Sequence, residues 1–397
     1  MRSAGHRSRQ WVLRGTTYFD HAAHRFLAGD IEIDDERISA IHPTGTSTRV
    51  HAVDARRYVC TPGLVCAPLH AQVIQTESDR LLQAGITTAG TICATARECV
   101  TAASRARVRL VARLLLNSFA HARTQDCDPG AGPSRHETAT FARIAALVGS
   151  HGGRLLPALC CACILSAHEL VYAHRLATVL ETKLGFVLSD KAQTARAFRE
   201  RFYCSETQLL DFMQVLLPGS SVWNLSQLSR ADIDILRKSN AEAVGLNALT
   251  VQGRRSPRRT SAEVERFDLR FSENQRSFPH WSKWSVMTGF RDADADADAD
   301  ADARIDAATI RAAAALDEPT CGAIAPGMRA DLCCFSMPDD LHGLGSAAFI
   351  RLFERRRPDA VLVGGRPAHG TLDLPLEEVP APTGDGQAEG TPSCARP

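Results

Sequence analysis

From Gly63 to about residue 320 the chain alternates short apolar runs with longer amphipathic ones. ITTAGTICA, RLLPALCCAC and KLGFVLS read as strands. ESDRLLQAG and ARAFRERF read as helices. Alternation of this kind points to parallel βα units, because parallel neighbours need a long crossover and a helix supplies it. The length is close to the roughly 250 residues of an eightfold βα barrel. Residues 63–320 are therefore expected to form a TIM-like (β/α)8 barrel in an α/β protein.

Both ends of the chain read differently. GDIEIDDERISAIHP alternates Ile31 and Ile33 with acids, turns at Asp34-Asp35, and alternates again through Ile38 and Ile41. That is a hairpin pattern. The stretch to Thr61 stays extended and stops at Pro62-Gly63. The tail returns to strands in MRADLCCFSMP and in DAVLVGGRPAHG, with a turn at Gly364-Gly365. Residues 1–62 and 321–376 are expected to build one small β-domain from both termini. In it Ile31, Ile33, Ile38 and Ile41 should bury against Leu332 and Val361. Residues 377–397 are rich in Pro, Gly, Glu and Thr and are expected to be disordered. RDADADADADADAR, residues 291–304, reads as a solvated low-complexity loop rather than an acidic metal or partner tract, because like charges repel and the repeat has no core face.

Composition narrows the function. Lys+Arg 46 against Asp+Glu 45 leaves a net charge of +1, so the chain as a whole has no pull toward nucleic acid or an anionic membrane. Aromatic residues make up 6%, which argues against base-stacking platforms. The basic string GRRSPRRT, residues 253–260, is short and broken by Ser and Pro, and reads as a solvated loop rather than a phosphate contact. The N-terminal segment lacks an apolar core of signal-peptide length, and no apolar run approaches a membrane span. With 13 cysteines, a cytoplasmic, reducing setting is expected in which they stay thiols. No dinucleotide or phosphate-binding glycine motif, nucleophile elbow or HExxH is present.

IEIDDERISAIHP, then YVCTPGLVCAPLHA and LLQAGITTAG, resembles the opening of amidohydrolase-superfamily enzymes of the aminohydrolase and chlorohydrolase branch, which includes deaminases. CGAIAPGMRADLCCF followed by AVLVGGRP is similar to the same family's C-terminal β-domain. The resemblance implies a distorted (β/α)8 barrel with a β-sandwich formed by both termini, and a zinc or iron centre at the barrel mouth. The residues that would hold that metal are largely replaced. Pro68 stands where the first strand's leading metal histidine belongs, leaving His70. The fifth strand has Val187 for its histidine and keeps an acid at Asp190. Asn224 stands at the sixth-strand histidine, and Leu246 in the later His-containing string. The eighth-strand acid falls on Glu273, or else Asp268. Cys161 takes the place of a substrate-facing histidine.

A catalytic zinc needs about three protein ligands and a water, and neither Pro nor Val offers a donor. The expectation is therefore a chain without a metal cofactor: a non-catalytic small-molecule-binding or partner protein, whose partner would be an active amidohydrolase relative or another protein. The alternative is a metal-independent hydrolase or deaminase acting on a C–N bond of a small polar molecule. It would use His70, Asp190, Cys161 and Glu273 at the mouth. Each survivor also has a plainer reading. His70 would be a leftover imidazole bonded to a carbonyl, and Asp190 a solvated acid or the N-cap of KAQTARAF. Cys160, Cys161 and Cys163 would be small apolar residues of a buried strand. Cys333 and Cys334 are adjacent and should face opposite sides of a strand, which supports no zinc ribbon.

Overall fold

A computed structural model describes residues 10–49, 51–117, 133–189, 191–225, 227–244, 297–336 and 341–372. The first sheet is mixed and uses both ends of the chain. Its strands are β1 (Gln10–Asp20), β2 (Arg25–Asp34), β3 (Arg37–His42), β4 (Ala52–Asp54), β5 (Tyr58–Pro62), β13 (Leu332–Ser336), β14 (Ala360–Val363) and β15 (Arg366–Gly370). They run in the order β15-β14-β13-β5-β1-β2-β3, with β4 beside β1. The seam between the two ends is the antiparallel β5–β13 ladder, from Leu332 opposite Pro62 to Ser336 opposite Tyr58.

Period-two alternation decides what this sheet buries. Ile31, Ile33 and Ile38 pack with Trp11, Leu13, Leu332 and Leu362, and Ile41 lies partly buried against them. Val361 does not join this cluster. Neighbouring residues of a strand point to opposite faces, so Leu362 takes that place and Val361 packs on the other side with Phe335, Phe349 and Phe353. Cys333 and Cys334 divide between the two faces in the same way. The β2–β3 turn falls at Asp35-Glu36, with Asp35 left-handed at φ 52°.

The second sheet is parallel throughout: β6 (Leu64–His70), β7 (Ile86–Cys93), β8 (Arg109–Leu115), β9 (Arg154–Cys160), β10 (Gly185–Val187), β11 (Ser221–Trp223) and β12 (Glu242–Val244), adjacent in chain order. Its crossovers carry α1 (Ala71–Gln83), α2 (Ala96–Arg105), α3 (Arg135–Ser150), α4 (Ala167–Val179), α5 (Ala192–Phe202), α6 (Glu206–Phe212) and α7 (Arg230–Ser239). The sheet curls into a half-barrel. After α8 (Ala297–Ala308), helix α9 (Ile310–Ala315) touches both end strands, β6 and β12. Val65, Val111, Leu156, Val187 and Trp223 fill the concave side against Ala313 and Leu316 of this helical segment. Seven parallel strands lie among the described residues. No described helix is long and apolar enough to cross a membrane.

Two segments depart from the sequence expectation. The Asp-Ala block is helical from Ala297 rather than a solvated loop, and 291–296 lie outside the described residues. A helix turns 100° per residue, so every fourth position shares a face. Ala301, Ile305 and Ala308 thereby form a buried stripe, while Asp302 and Asp306 reach His24. Within the C-terminal β-domain expected from sequence lies a helix, α10 (Ser346–Arg355), whose Phe349 and Phe353 are fully buried. The tail 377–397 and the basic string 253–260 lie outside the described residues.

Asp331, just before β13, joins the two sheets. Its carboxylate takes two bonds from Arg109 of β8, Nε to Oδ2 at 3.0 Å and Nη2 to Oδ1 at 3.1 Å. Oδ1 also accepts from Gly364 N–H at 2.6 Å, and the Asp331 carbonyl accepts from Gly63 N–H at 2.9 Å. Burial lowers the pKa of Arg109, but the Asp331 charge and hydrogen bonds more than offset it and raise it above its ordinary value. Removing one partner of a buried ion pair leaves the other charge uncompensated. Asp331→Asn should lower unfolding stability in urea by about 3 kcal/mol, and Arg109→Met in that background should restore part of the loss. A double-mutant cycle with no coupling would contradict the pairing.

The β1–β2 turn docks on α8 through His21. Thr309 Oγ1 donates to the Ile305 carbonyl at 2.6 Å, so it accepts from His21 Nε2 at 2.9 Å. His21 is therefore the Nε2–H tautomer, and its buried Nδ1 has no partner among the described residues. Burial pushes its pKa down to about 4, against the opposing pull of Asp306. A histidine neutral in the fold but free to protonate at pH 6.5 when unfolded stabilises fully above pH 6.5 and loses this contribution as pH falls toward 4. Urea midpoints should drop across that window by the equivalent of about 2 kcal/mol, and His21→Leu should flatten the drop. An unchanged pH profile in the variant would refute this assignment.

Candidate functional site

The C-terminal strand ends of a curled parallel sheet are where βα loops converge on a ligand. His70 closes β6 there, its backbone paired with Ile92 of β7. Pro68 lies where the β6–β7 register slips between Cys66 and Leu69. A proline has no N–H to give a ladder, so its fit at an irregularity follows from its chemistry. Asp190, Glu273, Asp268 and Leu246 lie outside the described residues. Of the proposed catalytic side chains, the structure therefore describes only Cys161. The N-cap position of α5 is Lys191, one residue past Asp190, and the Lys191 side chain makes no capping bond.

Cys161 opens a single 3-10 turn, Cys161–Cys163, after β9, so it and Cys163 do not belong to a strand. Asn117 fixes the strand end as a two-way clamp, donating to the Cys160 carbonyl and accepting from its N–H, both at 2.9 Å. Cys161 is 1% exposed. Burial, then the neighbouring Glu206, Cys160 and Cys163, push its thiol well above the ordinary range. At neutral pH it is a thiol and a poor nucleophile. Cys163 on the same turn is exposed.

Beside this turn lies a carboxyl pair that sequence reasoning missed. Glu206, the first residue of α6, is buried and accepts from Ser189 twice, N–H to Oε2 and Oγ to Oε1, both at 2.9 Å. Burial raises its pKa, the Ser189 bonds and Arg199 oppose, and Asp232 raises it further. Asp232 is also buried, held in a capping box with Ser229 and bonded by Ser205 Oγ. With Arg199, Thr207 and Asn224 these groups line a pocket about the size of one water. Thr207 Oγ1 is buried there with no partner among the described residues. Asn224 follows β11 in the left-handed region, φ 62°, and is half-buried. The arrangement offers a small polar group a buried carboxyl with a raised pKa, a hydroxyl and an amide. The signal available in sequence was the capping pattern, Ser205-x-x-Gln208 and Ser229-x-x-Asp232.

The concave interior is packed beneath the mouth. Val187 is 6% exposed and lies with Val111, Ala158 and Trp223. Arg113, on β8, is 1% exposed, its guanidinium 5.5 Å from the centre of the Trp223 ring. Gly185 makes room for it, since a Cβ there would lie 2.9 Å from Nη1. Arg113 Nε and Nη1 have no acceptor among the described residues, and burial pushes the pKa down to about 10, so the group stays cationic near neutral pH. Among the described residues no group of three or more His, Cys, Asp or Glu is placed to hold a metal ion.

No protein-family model matches the chain, and no curated protein matches it in sequence. Solved structures do match it in fold. An adenosine deaminase from Xanthomonas campestris with bound zinc superposes with a TM-score of 0.62 at 16% identity, over 92% of this chain and 94% of that one. Atrazine chlorohydrolase from Arthrobacter aurescens, complexed with zinc, gives 0.61 at 14% identity, over 92% and 96%. Helicobacter pylori aminofutalosine deaminase gives 0.59 at 13%, over 90% and 100%. At such identities the likeness is one of architecture: a curled parallel half-barrel beside a mixed sheet.

Proposed function

We propose that this chain is a divergent amidohydrolase-fold protein, a distorted (β/α)8 barrel with a composite β-sandwich, in which the metal centre has been given up. In this reading it is a cytoplasmic, non-catalytic protein that binds a small polar molecule or a protein partner, an active amidohydrolase relative being one candidate. The observation that carries the reading is Val187. At the fifth-strand position where the resemblance calls for a metal histidine, a valine packs into the interior beside Trp223. Arg113 supports it, because a buried guanidinium on the same concave face opposes a second cation. Pro68 and Asn224 add no imidazole. The residues present do not fit the zinc bound in these fold relatives.

The metal-independent reading would rest on His70, Asp190, Cys161 and Glu273. The buried, protonated state of Cys161 weighs against its nucleophilic role. The binding reading is tested by zinc linkage after chelator treatment. A folded-state site at 100 times its Kd would add about 2.7 kcal/mol and raise Tm by several degrees. No zinc-induced rise in Tm is expected, and no zinc-dependent release of ammonia from aminated heterocycles. Either effect would overturn the proposal.

A further inference from the structure

Cys60 on β5 and Cys334 on β13 stand directly opposite each other across the seam that joins the two ends of the chain. Their Sγ atoms are 3.5 Å apart and neither residue is exposed. Directly opposed antiparallel residues have Cα atoms about 4.5–5.5 Å apart, inside the window a disulfide accepts, so a bond needs side-chain rotation rather than backbone movement. The two thiols are unequal. Thr16 Oγ1 lies 3.2 Å from Cys60 Sγ. Bonding from Cys334 and Thr16 outweighs burial and pulls the Cys60 pKa below its ordinary value, while the shared bond and burial push Cys334 well up. Cys333 faces the other side and cannot compete.

We propose that Cys60 and Cys334 are a redox pair, oxidised by peroxide to a disulfide that locks the N-terminal and C-terminal halves of the mixed sheet together. Cys60 attacks one peroxide oxygen and becomes a sulfenic acid as the O–O bond breaks and hydroxide leaves. The hydroxide takes up the thiol proton as water. Cys334 then attacks that sulfur, the S–S bond forms, and a second water leaves with the Cys334 proton. Two thiols and one hydrogen peroxide give one disulfide and two waters. A dithiol reductant reverses the bond by exchange. The bridge closes a loop spanning 274 positions, so its constraint on the unfolded chain is large.

The test uses the reduced full-length protein, treated with hydrogen peroxide, alkylated under denaturing conditions and mapped by mass spectrometry. The expected result is a linked Cys60–Cys334 peptide and a Tm about 5 °C higher, reversed by dithiothreitol. Cys334→Ser should lose both changes, and Cys163→Ser should keep both. Full alkylation of Cys60 and Cys334 in the oxidised wild-type protein would overturn the proposal whether or not the variants fold. So would a bridge confined to Cys160 and Cys163, or a Tm rise that persists in Cys334→Ser.

Discussion

The buried ion pair between Asp331 and Arg109 is the point from which the two sheets take their relative position. Arg109 begins a central strand of the half-barrel, and Asp331 leads into the strand that joins the chain's two ends. The same residue receives Gly63 N–H, between the last N-terminal strand of the mixed sheet and the first of the parallel one, and Gly364 N–H at the final hairpin. A fully desolvated carboxylate requires its donors in place, and these come from segments far apart in sequence. Asp331 thereby ties the parallel sheet to the mixed one. The mouth residues, Cys161, Ser189, Glu206 and Asn224, are carried on that frame.

Much of the frame was legible because it depends on alternation. Ile31, Ile33 and Ile38 read as one buried face, and they are one. The βα pattern after Gly63 read as parallel strands with crossover helices, and seven such strands are present among the described residues. What failed were matters of phase and context. Val361 and Leu362 differ by one residue, and only the register of β14 on β13 decides which of them faces the isoleucines. The Asp-Ala repeat reads as solvated when every Asp is counted as a repelling charge. It folds because Ala301, Ile305 and Ala308 share one helical face and His24 receives Asp302 and Asp306. The mouth was least legible. Glu206 sits in a helix's first turn, where an acid usually faces water, and only tertiary packing buries it against Ser189. Arg113, inside RLVARLL, points into the core, where Gly185 leaves the space for it.

Function on this architecture lies in side chains rather than in the fold. The structures similar in fold include a zinc-bound adenosine deaminase and an atrazine chlorohydrolase complexed with zinc. In the proposed reading this chain keeps their scaffold and turns the concave face into a core. Valine at 187, the indole of Trp223 and the Arg113 guanidinium together favour packing over coordination. A pocket the size of a water, bordered by Glu206, Thr207 and Asn224, is a polar feature beside the mouth among the described residues.

The most direct measurement is the metal content of the purified full-length protein after exhaustive dialysis, by elemental analysis. The account predicts zinc and iron well below one ion per chain. About one tightly held zinc or iron per chain, the stoichiometry of a working catalytic centre, would contradict it.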